Sequence, residues 1–176
     1  GSLRRLQTEY VDLYQLHWPR REANIFGKLG YTHDAGDEEL NNFHEILTVI
    51  QEFIKEGKIR YFGLSNDTPW GLSTYLKLAE MYSLPRVQSI QNPYNLINRT
   101  FEVGLSEIAL REKSGLLAYS PLGGGFLTGK YFEPNPPANA RFNKFNNGER
   151  YEKTNSEAAA REYVKLAREH KLSPAQ

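Results

Sequence analysis

The feature that most constrains this chain is a repeated alternation of short apolar runs, polar clusters and stretches with helical spacing. Tyr10-Val11-Asp12-Leu13-Tyr14-Gln15-Leu16 has the residue types and length of a buried strand, and His17-Trp18-Pro19 ends it, because proline cannot donate to a central ladder. Phe43, Ile46, Leu47, Ile50, Phe53 and Ile54 then recur at helical spacing, with Gly57 where a helix stops. Ile59 to Leu64 reads as a second strand. Thr68 and Pro69 supply an N-cap and a first-turn proline for a helix whose apolar stripe is Leu72, Tyr75, Leu76 and Ala79. Val87 to Ile90 follows Pro85 as a third strand. Phe101, Leu105 and Ile108 begin another stripe after a cap at Thr100. Leu116 to Tyr119 is a fourth strand, and Ala160, Tyr163, Val164 and Ala167 mark a last helix.

Strand starts near residues 60, 87 and 116 lie 27 and 29 residues apart, the length of one βα unit. The pattern predicts an α/β fold with a parallel sheet, which leaves the doubly wound sheet and the (β/α)8 TIM barrel. No G-x-G-x-x-G follows the first strand, which weakens the dinucleotide-fingerprint version. Polar, potentially reactive residues instead follow every strand: His17, Ser65-Asn66, Gln91-Asn92 and Tyr119-Ser120. Barrel sites are built from strand C-terminal ends, so this repetition favours the barrel. About four of its eight units are readable, and a whole barrel takes about 250 residues. The expectation is a partial barrel, the middle of a complete one, forming one domain over residues 1–176, with a long loop over 18–42 and an irregular stretch over 133–155.

Composition removes several classes of function. Lys+Arg 22 against Asp+Glu 21 leaves a net charge of +1, so no bulk positive field draws nucleic acid. Mean hydropathy is −0.62, and no apolar run approaches the ~18 residues of a membrane span. With no cysteine, disulfide scaffolds, thiolate zinc, iron–sulfur clusters and thiol nucleophiles drop out together. No H-x-x-x-H spacing or carboxylate cluster suggests a metal site. No apolar signal region opens the chain, and the expected compartment is the cytoplasm.

The strand-end residues offer a coherent chemistry. A single histidine at a strand end is more often structural than catalytic, but the His17 imidazole can hydrogen-bond a reacting carbonyl oxygen at neutral pH. Ser65, Asn66 and Gln91 offer a hydroxyl and two amides, and an amide both donates and accepts, so it matches a carboxamide. The plainer reading, that Asn66-Asp67-Thr68 merely caps the next helix, needs only Thr68. Tyr119 presents a ring on which a planar heterocycle could stack. Gly123, Gly124 and Gly125 would let backbone N–H groups approach an anion, with Lys130 and Arg141 downstream to hold phosphates. A flexible surface loop with ordinary basic residues is the bland alternative. Together the groups read as a seat for an extended nucleotide.

Three stretches resemble signatures of the aldo-keto reductase superfamily: Tyr10 to Pro19 with the preceding Ser2-Leu3-Arg4-Arg5-Leu6, Gly57 to Asn66, and Ala118 to Gly123. Phe26 to Tyr31, Ile90 to Leu96 and Leu127 to Tyr131 are similar to its Tas-type branch in particular, and the resemblance runs from about residue 2 to residue 176. It implies a (β/α)8 barrel that reduces an aldehyde or ketone with NADPH, without metal. Hydride passes to the carbonyl carbon, and a tyrosine assisted by lysine, aspartate and histidine protonates the oxygen. The chain would span roughly the fourth to seventh units of that barrel. His17 would be that histidine, and Trp18 with the loop over 18–42 would border the substrate. Ser65, Asn66 and Gln91 would hold the nicotinamide carboxamide, and Tyr119 would stack on its ring. Ser120, Pro121, Leu122, Gly123 and Gly124 would form the pyrophosphate turn, with Lys130 and Arg141 toward the same cofactor.

The family's aspartate, tyrosine and lysine come from the first three βα units, which correspond to nothing in residues 1–176. The resemblance therefore implies one tetrad member and about half the cofactor contacts here. A segment of this kind, made alone, is expected to be nearly inactive and to self-associate through open strand edges. The alternative reading is a module that binds a nicotinamide nucleotide for regulation or interaction, without catalysis.

Overall fold

The computed structural model describes residues 1–28, 30–36, 42–145, 151 and 154–176. In chain order the elements are α1 (Ser2–Leu6), β1 (Val11–Leu16), α2 (Phe43–Lys55), β2 (Ile59–Ser65), α3 (Pro69–Met81), β3 (Val87–Pro93), α4 (Leu105–Arg111), β4 (Gly115–Tyr119), α5 (Arg141–Phe145) and α6 (Thr154–Glu169). The four strands form one sheet in the order β1-β2-β3-β4. Val11 pairs with Ile59 and Leu16 with Leu64, both in parallel, and Ser65 pairs in parallel with Gln91. Sequential strands joined by helices and lying side by side are the βα repeat that the 27- and 29-residue spacing predicts. The chain divides into two compact units, one of residues 1–92 and 102–117, the other of 93–101 and 118–176.

In the first unit the core lies between the sheet and its crossover helices. Phe62, Leu64, Val87 and Ile90 from the strands and Leu47, Leu72, Tyr75 and Leu76 from α2 and α3 are all buried. Each fully buried side chain of this kind contributes roughly 1.5–3 kcal/mol relative to an exposed one. Tyr75 meets Phe43 and Phe62 edge-on, with ring centroids 4.6 and 5.9 Å apart. Helix α3 starts where the sequence places it: Thr68 accepts a hydrogen bond from the Gly71 N–H at 3.3 Å, and Pro69 is in the first turn. This fixes the turn between β2 and α3, on which the site is built.

The second unit is held by Phe126, Leu127, Phe142, Tyr151 and Ala160, with Ile97, Leu122 and Tyr163 packed against them. Its turns are largely 3-10, over Gly123–Thr128 and Lys130–Phe132.

Several elements differ from the sequence expectation. The stripe begun by Phe101 is broken in two: Thr100–Glu102 is a 3-10 turn, and Gly104 at φ +92° starts α4 afresh at Leu105. Strand β3 runs on to Pro93, tolerated because it is the last strand residue. Helix α5 occupies part of the stretch expected to be irregular, where Phe142 buries its ring. Residues 29, 37–41, 146–150 and 152–153 fall within the expected 18–42 and 133–155 loops and lie outside the described residues.

Candidate functional site

In the first unit, the C-terminal ends of β1, β2 and β3 are joined by one short polar network. Ser65, the last residue of β2, donates its hydroxyl to the Gln91 carbonyl of β3 at 2.9 Å. Asn66 follows at φ +51°, a left-handed conformation that asparagine tolerates better than most residues. That turn sends its backbone N–H to the same Gln91 carbonyl at 3.0 Å. Its side-chain amide reaches the other way, donating to the His17 carbonyl at 2.9 Å and to Ser65 Oγ at 3.1 Å. Ser65 and Asn66 are both 5% exposed, so these bonds replace hydration that burial removes. One residue thus ties the exits of three strands.

His17 itself is exposed, and the Trp18 ring lies against its imidazole with centroids 4.1 Å apart. Phe26 meets Trp18 edge-on at 5.9 Å. The Gln91 side-chain amide is half-buried and engages no other described residue. Next to it Asn92 donates to the Asp67 carbonyl at 3.0 Å, while its buried Oδ1 has no hydrogen-bond partner among the described residues. Ser65 and Asn66 thus donate within this network, while the Gln91 amide stands clear of it.

Beside this row lies an ion pair to which the sequence assigned no role. Arg21 donates to Asp67 Oδ1 at 2.5 Å and to Thr68 Oγ1 at 3.0 Å, and both charged side chains are buried, at 9% and 4% exposure. The Arg21 guanidinium lies 4.9 Å from the Trp70 ring centroid and 5.4 Å from that of Phe43. Burial raises the Asp67 carboxyl above its ordinary 3.8, although the adjoining Arg21 charge, its hydrogen bond and the Thr68 N–H pull the other way. Burial, and then the Asp67 charge, also push the Tyr75 hydroxyl upward. Gly71 makes room for the pair: a Cβ there would stand 2.1 Å from Asp67 Oδ1 and 2.3 Å from an Arg21 nitrogen. A glycine in the first turn of a helix, where alanine would be better for the helix, was the legible sign of this contact.

The second unit holds the remaining expected residues. Tyr119 ends β4, half-buried, and its carbonyl accepts from the Tyr94 N–H at 3.3 Å. Ser120 turns at φ +53°, and its carbonyl accepts from Gly123 N–H at 2.8 Å and from Asn95 Nδ2 at 2.9 Å. Gly125 N–H in turn donates to the Leu122 carbonyl at 2.9 Å. Two of the three glycine N–H groups are therefore committed to closing the turn. The third glycine is covered: a Cβ on Gly124 would stand 2.3 Å from the Phe142 ring. Pro121 is exposed, Leu122 packs on the unit's core, and Lys130 lies 5.2 Å from the Tyr131 ring centroid. Arg141 is exposed at the start of α5. Among the described residues no cluster of three metal-ligating side chains exists, and no helix is long and apolar enough to cross a membrane.

A parallel βα sheet with polar groups gathered at the strand exits defines the class: an α/β protein of the barrel type. The chain matches the aldo/keto reductase family over residues 1–176, and it belongs to that family of oxidoreductases. It is 49% identical over 175 residues to the protein Tas of Escherichia coli, covering 99% of this chain and 50% of that protein. An aldo-keto reductase of Babesia bovis is 37% identical over 182 residues, covering 97% of this chain and 64% of the relative. The glycerol dehydrogenase AKR11B4 of Gluconobacter oxydans superimposes with a TM-score of 0.66 at 30% identity, over 99% of this chain and 46% of that one. The four strands and their helices are thus part of a (β/α)8 barrel. The chain spans about half the length of the Tas proteins that it matches.

Proposed function

We propose that the protein carrying this chain reduces an aldehyde or ketone to the alcohol, drawing hydride from NADPH. The observation that carries the reading is the Asn66 junction, which gathers the β1, β2 and β3 exits through the His17 and Gln91 carbonyls. The name of a Schizosaccharomyces pombe relative, 29% identical over 154 residues, specifies NADP(+), which supports the choice of nucleotide.

A nicotinamide, when bound, supplies the hydride for the carbonyl carbon. Ser65, Asn66 and Gln91 bind its carboxamide, Gln91 through the amide left unengaged, and thereby orient the ring. His17 hydrogen-bonds the carbonyl oxygen, favouring the negative charge that grows there and assisting proton delivery. Trp18, exposed beside His17, screens the reacting carbonyl from water. Within the second unit, the assignment of Tyr119, Ser120, Pro121, Leu122, Gly123, Gly124, Lys130 and Arg141 to the same cofactor rests on the family resemblance. The Gly124 surface covered by Phe142 and the committed glycine N–H groups give no support of their own to an anion cradle.

The test is NADPH oxidation by the natural full-length protein over a panel of aldehydes and ketones, beside nucleotide binding by fluorescence. Turnover that falls about 10²-fold or more in His17→Ala, with binding retained, is the expected result. Saturable binding with no turnover on any carbonyl would replace the enzyme reading with a binding module.

A further inference from the structure

The five residues from His17 to Arg21 form a strap tied at both ends. Asn66 Nδ2 holds the His17 carbonyl at 2.9 Å, and Asp67 Oδ1 holds Arg21 at 2.5 Å. The two anchors are adjacent in sequence, and both are buried at 5% exposure. Between the ties stand Trp18, Pro19 and Arg20, of which Trp18 is half-exposed against the His17 ring.

One face of this strap borders a cleft of about 180 Å³ that opens toward solvent and is lined among others by Leu16, Trp18, Arg21, Ser65 and Asp67. A loop beside open space can tilt unless directional contacts fix it. Asn66 supplies one such contact, and a single hydrogen bond leaves rotation about it free.

The geometry points to Arg21 and Asp67 as a positioning pair, a second tie that sets the orientation of His17 and Trp18 toward the reacting carbonyl. Planarity suits arginine to this role, since the guanidinium is sandwiched near Trp70 and Phe43 while one nitrogen serves both Asp67 and Thr68. Thr68 N–H holds the Asp67 carboxylate at 2.7 Å, so the anchor is fixed to the first turn of α3. Asp67 is also held through its backbone by Asn92 of β3, which carries the tie into the sheet. The pair acts through His17 and Trp18, and this inference rests on the proposed carbonyl reduction for its activity readout.

The experiment compares four forms of the natural full-length protein: wild type, Arg21→Met, Arg21→Lys and the double variant Arg21→Met with Asp67→Asn. Arg21→Met alone leaves a buried carboxylate uncompensated, so it loses both stability and turnover. The double variant removes that charge, and its melting temperature is expected to return most of the way to wild type. Its kcat is expected to stay roughly 10- to 10²-fold low, the loss that follows misplacement by about 1 Å. Its KM for the nucleotide is expected to be nearly unchanged. Arg21→Lys keeps the charge but lacks the planar fork, and should fall between. His17 ring resonances in the NMR spectrum should shift in the double variant. A double variant that recovers both stability and kcat, with unmoved His17 resonances, would reduce the pair to a structural bridge and overturn the proposal. If wild type reduces no carbonyl, the proposed function fails by itself; unmoved His17 resonances then refute the positioning role, and shifted ones sustain it.

Discussion

Alanine at position 71 sets two effects against each other, and the geometry decides between them. Gly71 lies in the first turn of α3 without a positive φ, so helix propensity alone predicts that Gly71→Ala stabilises the protein by up to about 1 kcal/mol. The new Cβ, however, would stand 2.1 Å from Asp67 Oδ1, and contacts under 3.0 Å force something to move. A retreat of about 1 Å would take the Arg21–Asp67 contact from 2.5 Å to the limit of a hydrogen bond. Neither partner has an easy exit, since Thr68 N–H holds the carboxylate and the Trp70 and Phe43 rings flank the guanidinium. Breaking a buried pair outright costs about 3–5 kcal/mol, and partial displacement should cost about 3. The net expectation is destabilisation by about 2 kcal/mol, or a fall of roughly 4–8 °C in melting temperature for a protein of this size range. Urea unfolding and thermal melts of wild type and Gly71→Ala measure this directly. A variant that melts at or above the wild-type temperature would refute the reasoning, because helix propensity would then have outweighed the ion pair.

Two other outcomes follow from particular contacts. Because burial raises the Asp67 carboxyl above 3.8, ionising it costs more in the folded chain than in the unfolded one. Its contribution to stability is fully present below about pH 4 and is lost as pH rises through the folded value, so Asp67→Asn should flatten that descending limb in a series of urea titrations. Parallel profiles for the two proteins would count against it. Gly124→Ala, which combines φ +66° with a Cβ 2.3 Å from the Phe142 ring, should destabilise the protein by about 1–3 kcal/mol. Phe142→Leu should recover part of that loss when combined with it; strictly additive losses in the double variant would show that the ring is not the obstacle.

The strands and most of the helices were legible because apolar spacing reports burial one element at a time. Thr68-Pro69 announced the start of α3, and the polar residues at the ends of β1, β2 and β3 announced the hydrogen-bond network that joins those ends. The Arg21–Asp67 pair left Gly71 as its one local trace, because its members are 46 residues apart and each reads locally as an ordinary loop or cap residue. Long-range pairing leaves no periodic trace. The glycine triplet was legible in composition but not in geometry: two of its N–H groups close a turn, and a Cβ on Gly124 would meet the ring of Phe142, distant in sequence. The broken stripe at Phe101 has the same origin, since spacing alone could not tell that Gly104 interrupts the helix.

Titration of NADPH into the isotopically labelled natural protein, following the Asn66 and Gln91 side-chain amides and the His17 ring by NMR, tests most directly whether the strand exits form one nucleotide seat. Saturable shifts of all three, with a common dissociation constant, are the expected result. Tight binding that leaves these three signals where they were would contradict it.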